Sequence, residues 1–376
     1  MGSFRGHQRA ILLATHGQFL LAIDNSSWEI LIIMKTPMSE RRPTMRDVAA
    51  LAGVGIKTVS RVVNNEPYVT PPMVDRVQQA IKSLHYEPSL AAGSLRRSGH
   101  RTQALGLLVG DVANPFSGSV NRAVEDAAGQ RNLAVFTSSL DDDAERERMI
   151  VSEFLRRRVD GLIMTTAAPS QSYLHHEKER GTPLVFIDRP PNGIDADTII
   201  SDNVGGAVLA TEHLIMAGHR RIAFLGDRQE IFTARERQRG FLQAMRQAGL
   251  TVQGWQVING LSDATHAYRA VRMLLDKDES PTAIFSGQNI ITYGVLRALR
   301  DCGVQATTAL IGFDDFPMAE LLDPGITVIA QNPRGIGRIA VERVFAGLDG
   351  IWTRAITTVV PTTLIARGSG ELRPQD

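Results

Sequence analysis

Residues 44–64 read TMRDVAALAGVGIKTVSRVVN. Two short helical patterns flank a glycine-bearing turn. Val48, Leu51 and Ala52 mark the apolar face of the first, and Val59, Val62 and Val63 that of the second. Spacings of three and four residues bring each set onto one side of a helix, so two buried faces are expected to meet. Thr44 stands three residues before Asp47, the spacing of a capping box. Ala49, Ala50, Ala52 and Gly53 are small and let the two helices approach closely. A tight turn between two short helices is the outline of a helix-turn-helix, whose second helix enters the DNA major groove.

The polar side of the second helix carries Lys57, Thr58, Ser60, Arg61 and Asn64. Arg61 can donate two parallel hydrogen bonds to guanine O6 and N7. Thr58, Ser60 and Asn64 are short groups suited to phosphates or base edges. The same pattern also fits a surface helical hairpin with a solvated face. Downstream, Thr70-Pro71-Pro72 opens a third helix, with Thr70 as N-cap and Pro71 at the first helical position. Val74, Val77, Ile81 and Leu84 form its stripe.

The run DVAALAGVGIKTVSRVVNNEPYVT, followed by VQQAIKSLHYEPSLAAGSLRR, resembles the lactose-repressor/galactose-repressor family of bacterial transcription regulators. The resemblance extends over residues 43 to 370. It implies that Ile56 and Lys57 choose the half-site sequence. It also implies that LAAGSLRR is a hinge helix that folds on DNA, with Leu95 wedged into a minor-groove base step and Ala92 beside it. Unstacking costs a few kcal/mol and permits a bend. Gly93 departs from the longer polar residue usual there and lowers helix propensity by about 1 kcal/mol relative to alanine. On composition alone the same stretch fits a flexible basic linker.

The chain has 376 residues, 43% apolar and 22% charged, enough for two or three domains with sizeable cores. Its one cysteine, Cys302, excludes an intramolecular disulfide framework and suits a reducing cytoplasm. Charge is unevenly distributed. Residues 41–101 hold ten Lys/Arg against four Asp/Glu, net +6; residues 102–376 hold 28 against 33, net −5. A basic head on a mildly acidic body fits a phosphate-binding module joined to a small-molecule sensor. Residues 1–42 read as a disordered extension, with Met38 as a candidate functional start. ILLATHGQFLLAI is interrupted by His16, Gly17 and Gln18, and no A-x-A site follows, which argues against a signal peptide. No stretch reaches the roughly 18 uninterrupted apolar residues of a membrane helix, so no membrane partner is expected. The domain plan is the extension (1–42), the DNA-binding domain (43–88), a hinge (89–101) and the body (102–376).

From Gln103 the rhythm alternates. Strands are expected at 104–110, 132–138, 160–166, 183–188, 198–202, 221–226, 282–287, 309–315 and 326–331. Amphipathic stretches at 117–131, 142–158, 203–218, 233–249 and 289–302 separate most of them. Such alternation implies parallel sheets with helices on both faces. The expected fold class is therefore α/β: an all-α headpiece followed by two doubly wound lobes. The family resemblance adds that the body is like a periplasmic binding protein, its lobes crossed by three segments. The lobe boundary is expected near 200, with the chain crossing back near 314–327.

Ligands of doubly wound folds sit at the carboxyl ends of the strands. Those ends carry Asp111, Asn114 and Phe116; Asp188 and Arg189; Gln288 and Asn289; Asp314 and Asp315; and Gln331. Arg235 and Arg237 lie in TARERQRGF. Carboxylates, guanidiniums and amides bind vicinal hydroxyls, while an aromatic covers an apolar sugar face. The resemblance implies effector contacts at Arg237 and Asp314, with Asp188 and Gln288 lining the cleft. Gln288 departs from the commoner asparagine, which changes its reach. The effector set is thus Asp111, Phe116, Asp188, Arg237, Gln288 and Asp314, and any one of them also reads as a cap or an ion-pair member.

Enzyme readings find little support. No G-x-x-x-x-G-K-[ST] or G-x-S-x-G occurs. Residues 335–340, GIGRIA, match a loose G-x-G-x-x-A, but Asn332-Pro333 already opens that helix and the acidic residue about 20 positions on is missing. His175-His176-Glu177 lacks zinc-site spacing. No catalytic residue, metal or cofactor is expected. The reading is a cytoplasmic, nucleoid-associated regulator, a repressor binding a pseudo-palindromic operator as a homodimer under control of a sugar. The alternatives are a purine or nucleoside effector, or a sugar-binding or sugar-processing protein without operator specificity.

Overall fold

The computed structural model describes residues 21–22, 31–32, 41–64, 66–87, 101–277, 279–351 and 354–375. The chain divides into two units, residues 1–97 and 98–376. Within the extension, Leu21–Ala22 pairs antiparallel with Leu31–Ile32; the expectation of disorder otherwise lies outside the described residues. Ala92 and Leu95 lie outside them too.

The first unit holds helices α1 (Met45–Ala52), α2 (Ile56–Val63) and α3 (Pro71–Leu84). Asp47 closes the start of α1 by accepting from the Thr44 backbone N–H at 2.7 Å and from its hydroxyl at 2.6 Å. Gly53, at φ +65°, ends α1 in the left-handed conformation that glycine adopts without cost and frees the chain to turn into α2. Val48, Val59 and Val77, each fully buried, come from the three different helices. Each contributes roughly 1.5–3 kcal/mol by leaving water. Leu51 differs from expectation: it is 56% exposed, and Ala49 takes its place in the core.

The second unit contains two six-stranded sheets. The first orders β2 (Ala134–Ser139), β1 (Ala104–Val109), β3 (Gly161–Met164), β4 (Leu184–Ile187), β5 (Asp197–Ser201) and β11 (Thr357–Val360), all parallel. The second orders β7 (Val257–Ile258), β6 (Ile222–Leu225), β8 (Ala283–Ser286), β9 (Ala309–Phe313), β10 (Thr327–Ala330) and β12 (Thr363–Ile365), with β12 antiparallel at the edge. Helices α4 (Pro115–Gly129) and α11 (Pro333–Leu348) cover one face of the first sheet, and α5 (Ala144–Arg156) with Tyr173 and Leu174, which precede the short α6 (His175–Glu179), the other. Helices α7 (Asn203–Met216) and α8 (Phe232–Gln247) cover one face of the second sheet, and α9 (Ala264–Leu275) and α10 (Asn289–Asp301) the other. Buried on both faces, the central strands are continuous apolar runs such as Leu105-Gly106-Leu107-Leu108.

The chain passes between lobes after β5, after β10 and between β11 and β12. The return crossing is at Gln331–Asn332, beyond the expected 314–327, because β10 first pairs with β9 in the second sheet, and only then does the chain return as α11 to pack against α4. The three passages are tied together: Asp202 N–H donates to the Val360 carbonyl at 2.9 Å, and the Ser201 hydroxyl bonds the Gln331 side chain. The G-x-G-x-x-A stretch lies inside α11. A Cβ on Gly337 would stand 2.8 Å from the Ala123 methyl and 3.0 Å from the Val120 carbonyl. Gly337 therefore serves helix packing, while Gly335 leaves room for the Asn332 side chain that caps the helix.

Candidate functional site

On the first unit, α2 and its C-cap separate the residues proposed for DNA contact into two groups. Ile56, Lys57 and Arg61 are exposed, and Ile56 is a 42% exposed aliphatic at the helix start. Thr58, Ser60 and Asn64 are half-buried. Asn64 donates to the Ser60 carbonyl at 2.8 Å, so those two hold the helix end together. Thr44 is engaged with Asp47, and Arg41 closes on the same carboxylate at 3.0 Å. These bonds keep the Asp47 carboxyl below the usual carboxylate range, the Thr44 hydroxyl foremost. The freely presented surface is therefore Ile56, Lys57 and Arg61.

In the second unit the carboxyl ends of both sheets face a cavity of about 400 Å3. Asp111, Phe116, Asp188, Arg237, Gln288 and Asp314 all line it. Asp188 follows β4 and Asp314 follows β9, in corresponding places of the two lobes. Both adopt left-handed backbone, φ +65° and +76°, and both donate their N–H to the next strand, to the Ile199 and Ile329 carbonyls at 2.9 Å. Aspartate tolerates this conformation at a modest cost. The turn aims each carboxylate into the cleft instead of along its sheet.

Arg237 is the most enclosed group of the site. Its Nε donates to Asn203 Oδ1 at 2.8 Å, Nη1 donates to the Gly287 carbonyl at 2.8 Å, and the guanidinium lies 3.8 Å above the Phe313 ring. Asp314 Oδ2 stands 3.6 Å from Nη1, and Gln331 donates to the other carboxylate oxygen of Asp314. Burial pushes the Asp188 carboxyl up, opposed by Arg189 and Arg237 and reinforced by Asp314 and Asp142. Asp227 is pushed up for the same first reason. Two loosely neutralised carboxylates with open lone pairs can accept hydroxyl hydrogens.

Other strand-end residues go elsewhere. Asp315 forms a two-pronged pair with Arg367 at 2.7 and 2.8 Å. Arg235 donates to the Gln229 carbonyl. Asn289, fully buried, exchanges reciprocal amide bonds with Asn114 across the lobes at 3.0 and 3.1 Å. The structure also brings in residues that sequence reasoning passed over: Asp142, Asp227 and Arg228. Asp142 follows β2, and Asp227-Arg228 follow β6. The strand-end rule applied to every strand would have found them. Among the described residues no group of three or more His, Cys, Asp or Glu is placed to hold a metal ion. No helix there is long and apolar enough to cross a membrane.

A helix-turn-helix unit joined to a two-lobed, periplasmic-binding-protein-like body defines a ligand-sensing DNA-binding regulator. The model for bacterial regulatory proteins of the lacI family matches residues 44–89, and that for a periplasmic binding protein-like domain matches residues 211–370. The ribose operon repressor of Escherichia coli strain K12 is 33% identical over 304 residues, covering 80% of this chain and 91% of the relative. The PurR repressor of Haemophilus influenzae strain PittEE is 30% identical over 331 residues, covering 86% and 98%. The crystal structure of the lac repressor dimer bound to operator and an anti-inducer superposes with a TM-score of 0.76 at 26% identity, covering 88% of this chain and all of that one. The chain belongs to the lacI family of bacterial regulatory proteins, and it is a DNA-binding transcriptional regulator.

Proposed function

We propose that the protein is a cytoplasmic repressor that binds a pseudo-palindromic operator as a homodimer, and that a sugar in the interlobe cleft controls its operator affinity. Thr44, Ile56, Lys57, Thr58, Ser60, Arg61 and Asn64 form the proposed major-groove surface, with Ala92 and Leu95 in the minor groove. Asp111, Phe116, Asp188, Arg237, Gln288 and Asp314 form the proposed effector site. The observation that carries the reading is that all six of these side chains line one cavity at the strand ends of two lobes. Phe116 offers an apolar face, and the carboxylates and amides offer partners to hydroxyls. One headpiece covers too little DNA for high affinity, which favours two symmetric half-sites.

An effector that prefers one lobe arrangement shifts the population competent for operator by no more than its differential affinity. A swing from 99:1 to 1:99 needs roughly 5.5 kcal/mol. The test is fluorescence anisotropy on DNA flanking the protein's own gene against scrambled DNA, at two salt concentrations, with a panel of monosaccharides, nucleobases and nucleosides. Specific binding that survives the higher salt and changes with one sugar is the expected result. Equal binding to scrambled DNA that vanishes with salt reflects phosphate attraction alone and removes operator specificity. Response to a nucleobase only would replace the sugar.

A further inference from the structure

The cleft holds three arginines, and each is already matched by a carboxylate. Arg237 faces Asp314. Arg189 Nη1 donates to Asp142 Oδ1 at 2.6 Å and to the Thr166 carbonyl at 3.0 Å. Arg228 Nη2 donates to Asp142 Oδ2 at 3.0 Å. Asp142 thus gives one oxygen to an arginine of its own lobe and the other to an arginine of the opposite lobe. Asp188 lies 3.5 Å from Arg189 Nε, and Asp227 lies 3.8 Å from Arg228 Nε. In all, six aspartates line the cavity against the three arginines.

Two guanidiniums converging on one point make the geometry that binds a phosphate through paired N–H donors. In this cleft that point is occupied by a side-chain anion. Resting on the sugar-cleft reading above, we propose that Asp142 is a specificity residue: its carboxylate fills an anion site between Arg189 and Arg228 and so closes the cleft to phosphate-bearing ligands. A phosphate brought to either arginine must displace Asp142 or sit beside it with like charge. Uncharged hydroxyls meet no such obstacle. They can donate to Asp188 and Asp111 while the arginine pairs stay intact. The partition of the two arginines over two lobes adds that the site is complete only when the lobes are closed, so the exclusion acts on the closed state.

The experiment compares the full-length wild type with Asp142→Ala and with Asp141→Ala. The second variant removes the same charge from a neighbouring carboxylate whose arginine partner is Arg146. Binding is titrated calorimetrically with inorganic phosphate, with monosaccharides and with their terminal phosphate monoesters, after thermal melts establish that each variant unfolds cooperatively. Asp142→Ala is expected to gain at least tenfold in affinity for inorganic phosphate or a sugar phosphate, about 1.4 kcal/mol. Asp141→Ala is expected to gain less than threefold. An equal gain in both variants would mean a diffuse charge effect and overturns the proposal. So does wild-type affinity for a sugar phosphate that matches the neutral sugar. Loss of neutral-sugar binding with no gain for phosphate would make Asp142 a lobe tie only, which also overturns it. The phosphate titration decides the matter even if no sugar binds, and operator binding is read separately, so failure of the sugar reading remains distinct.

Discussion

Arg61 and His219 show how differently single side chains act. Arg61 projects from α2 into solvent, and its removal leaves the core of Val48, Val59 and Val77 untouched. Arg61→Ala is expected to weaken operator binding by about 1–3 kcal/mol with no change in melting temperature; anisotropy titrations and thermal melts check both. His219 is fully buried, with Nδ1 2.9 Å from the Thr282 hydroxyl and Nε2 2.8 Å from the Leu372 carbonyl. Burial lowers its pKa from 6.5. The unfolded chain therefore binds the proton first as pH falls, and stability drops with it. The contribution is fully present above pH 6.5 and declines below it, towards the folded-state value. Melting temperatures of the wild type are expected to fall more steeply below pH 6.5 than those of His219→Gln. Parallel curves would show that this histidine does not set the slope.

Helix pairs carry the site at the next scale. Helices α7 and α8 cross so closely that a Cβ on Gly240 would lie 2.5 Å from the Val204 carbonyl and 2.7 Å from the Ala207 methyl. Arg237 stands one turn earlier on α8, with its guanidinium fixed to Asn203 and Gly287. Gly240→Ala is expected to force the helices apart, costing about 1–3 kcal/mol by overpacking, and to carry Arg237 away from its partners. A fall in melting temperature with a larger loss of effector affinity is the expected pair of results. Unaltered effector affinity would show that α8 shifts without moving its arginine. Strand bounds were legible to within two or three residues because most of these strands are continuous apolar runs. The short β7, β11 and β12 were not, since two to four residues such as Thr363–Ile365 carry no period.

Across the whole molecule, the headpiece core and the body cores share no element. Two unfolding transitions are therefore expected. Operator should raise the headpiece transition and effector the body transition, each by mass action on the folded state it binds. Calorimetry with each ligand in turn checks this. A single transition moved equally by both would mean that the two units unfold as one. Within the body, Asn114 and Asn289 join the lobes at one contact and Asp142 and Arg228 at another. A ligand that enters must fit beside these contacts or replace them.

The sequence by itself determined the headpiece, the α/β body and the residues at most strand ends. Those depend on local rules: helical spacing, capping, apolar runs and the loops that follow them. It placed Asp315 and Arg235 on the same footing as Asp314 and Arg237, because chain position cannot tell which side of a turn a carboxylate takes. Tertiary structure decided that. Asp314 is turned inward by its left-handed backbone, while Asp315 is drawn off to Arg367, 52 residues away in sequence. It also decided the return crossing after β10 and the meeting of Arg189, Asp142 and Arg228. Those three residues come from three loops and two lobes: the loops after β2 and β4 of one sheet bring Asp142 to Arg189, and only the approach of the other lobe brings Arg228 within reach.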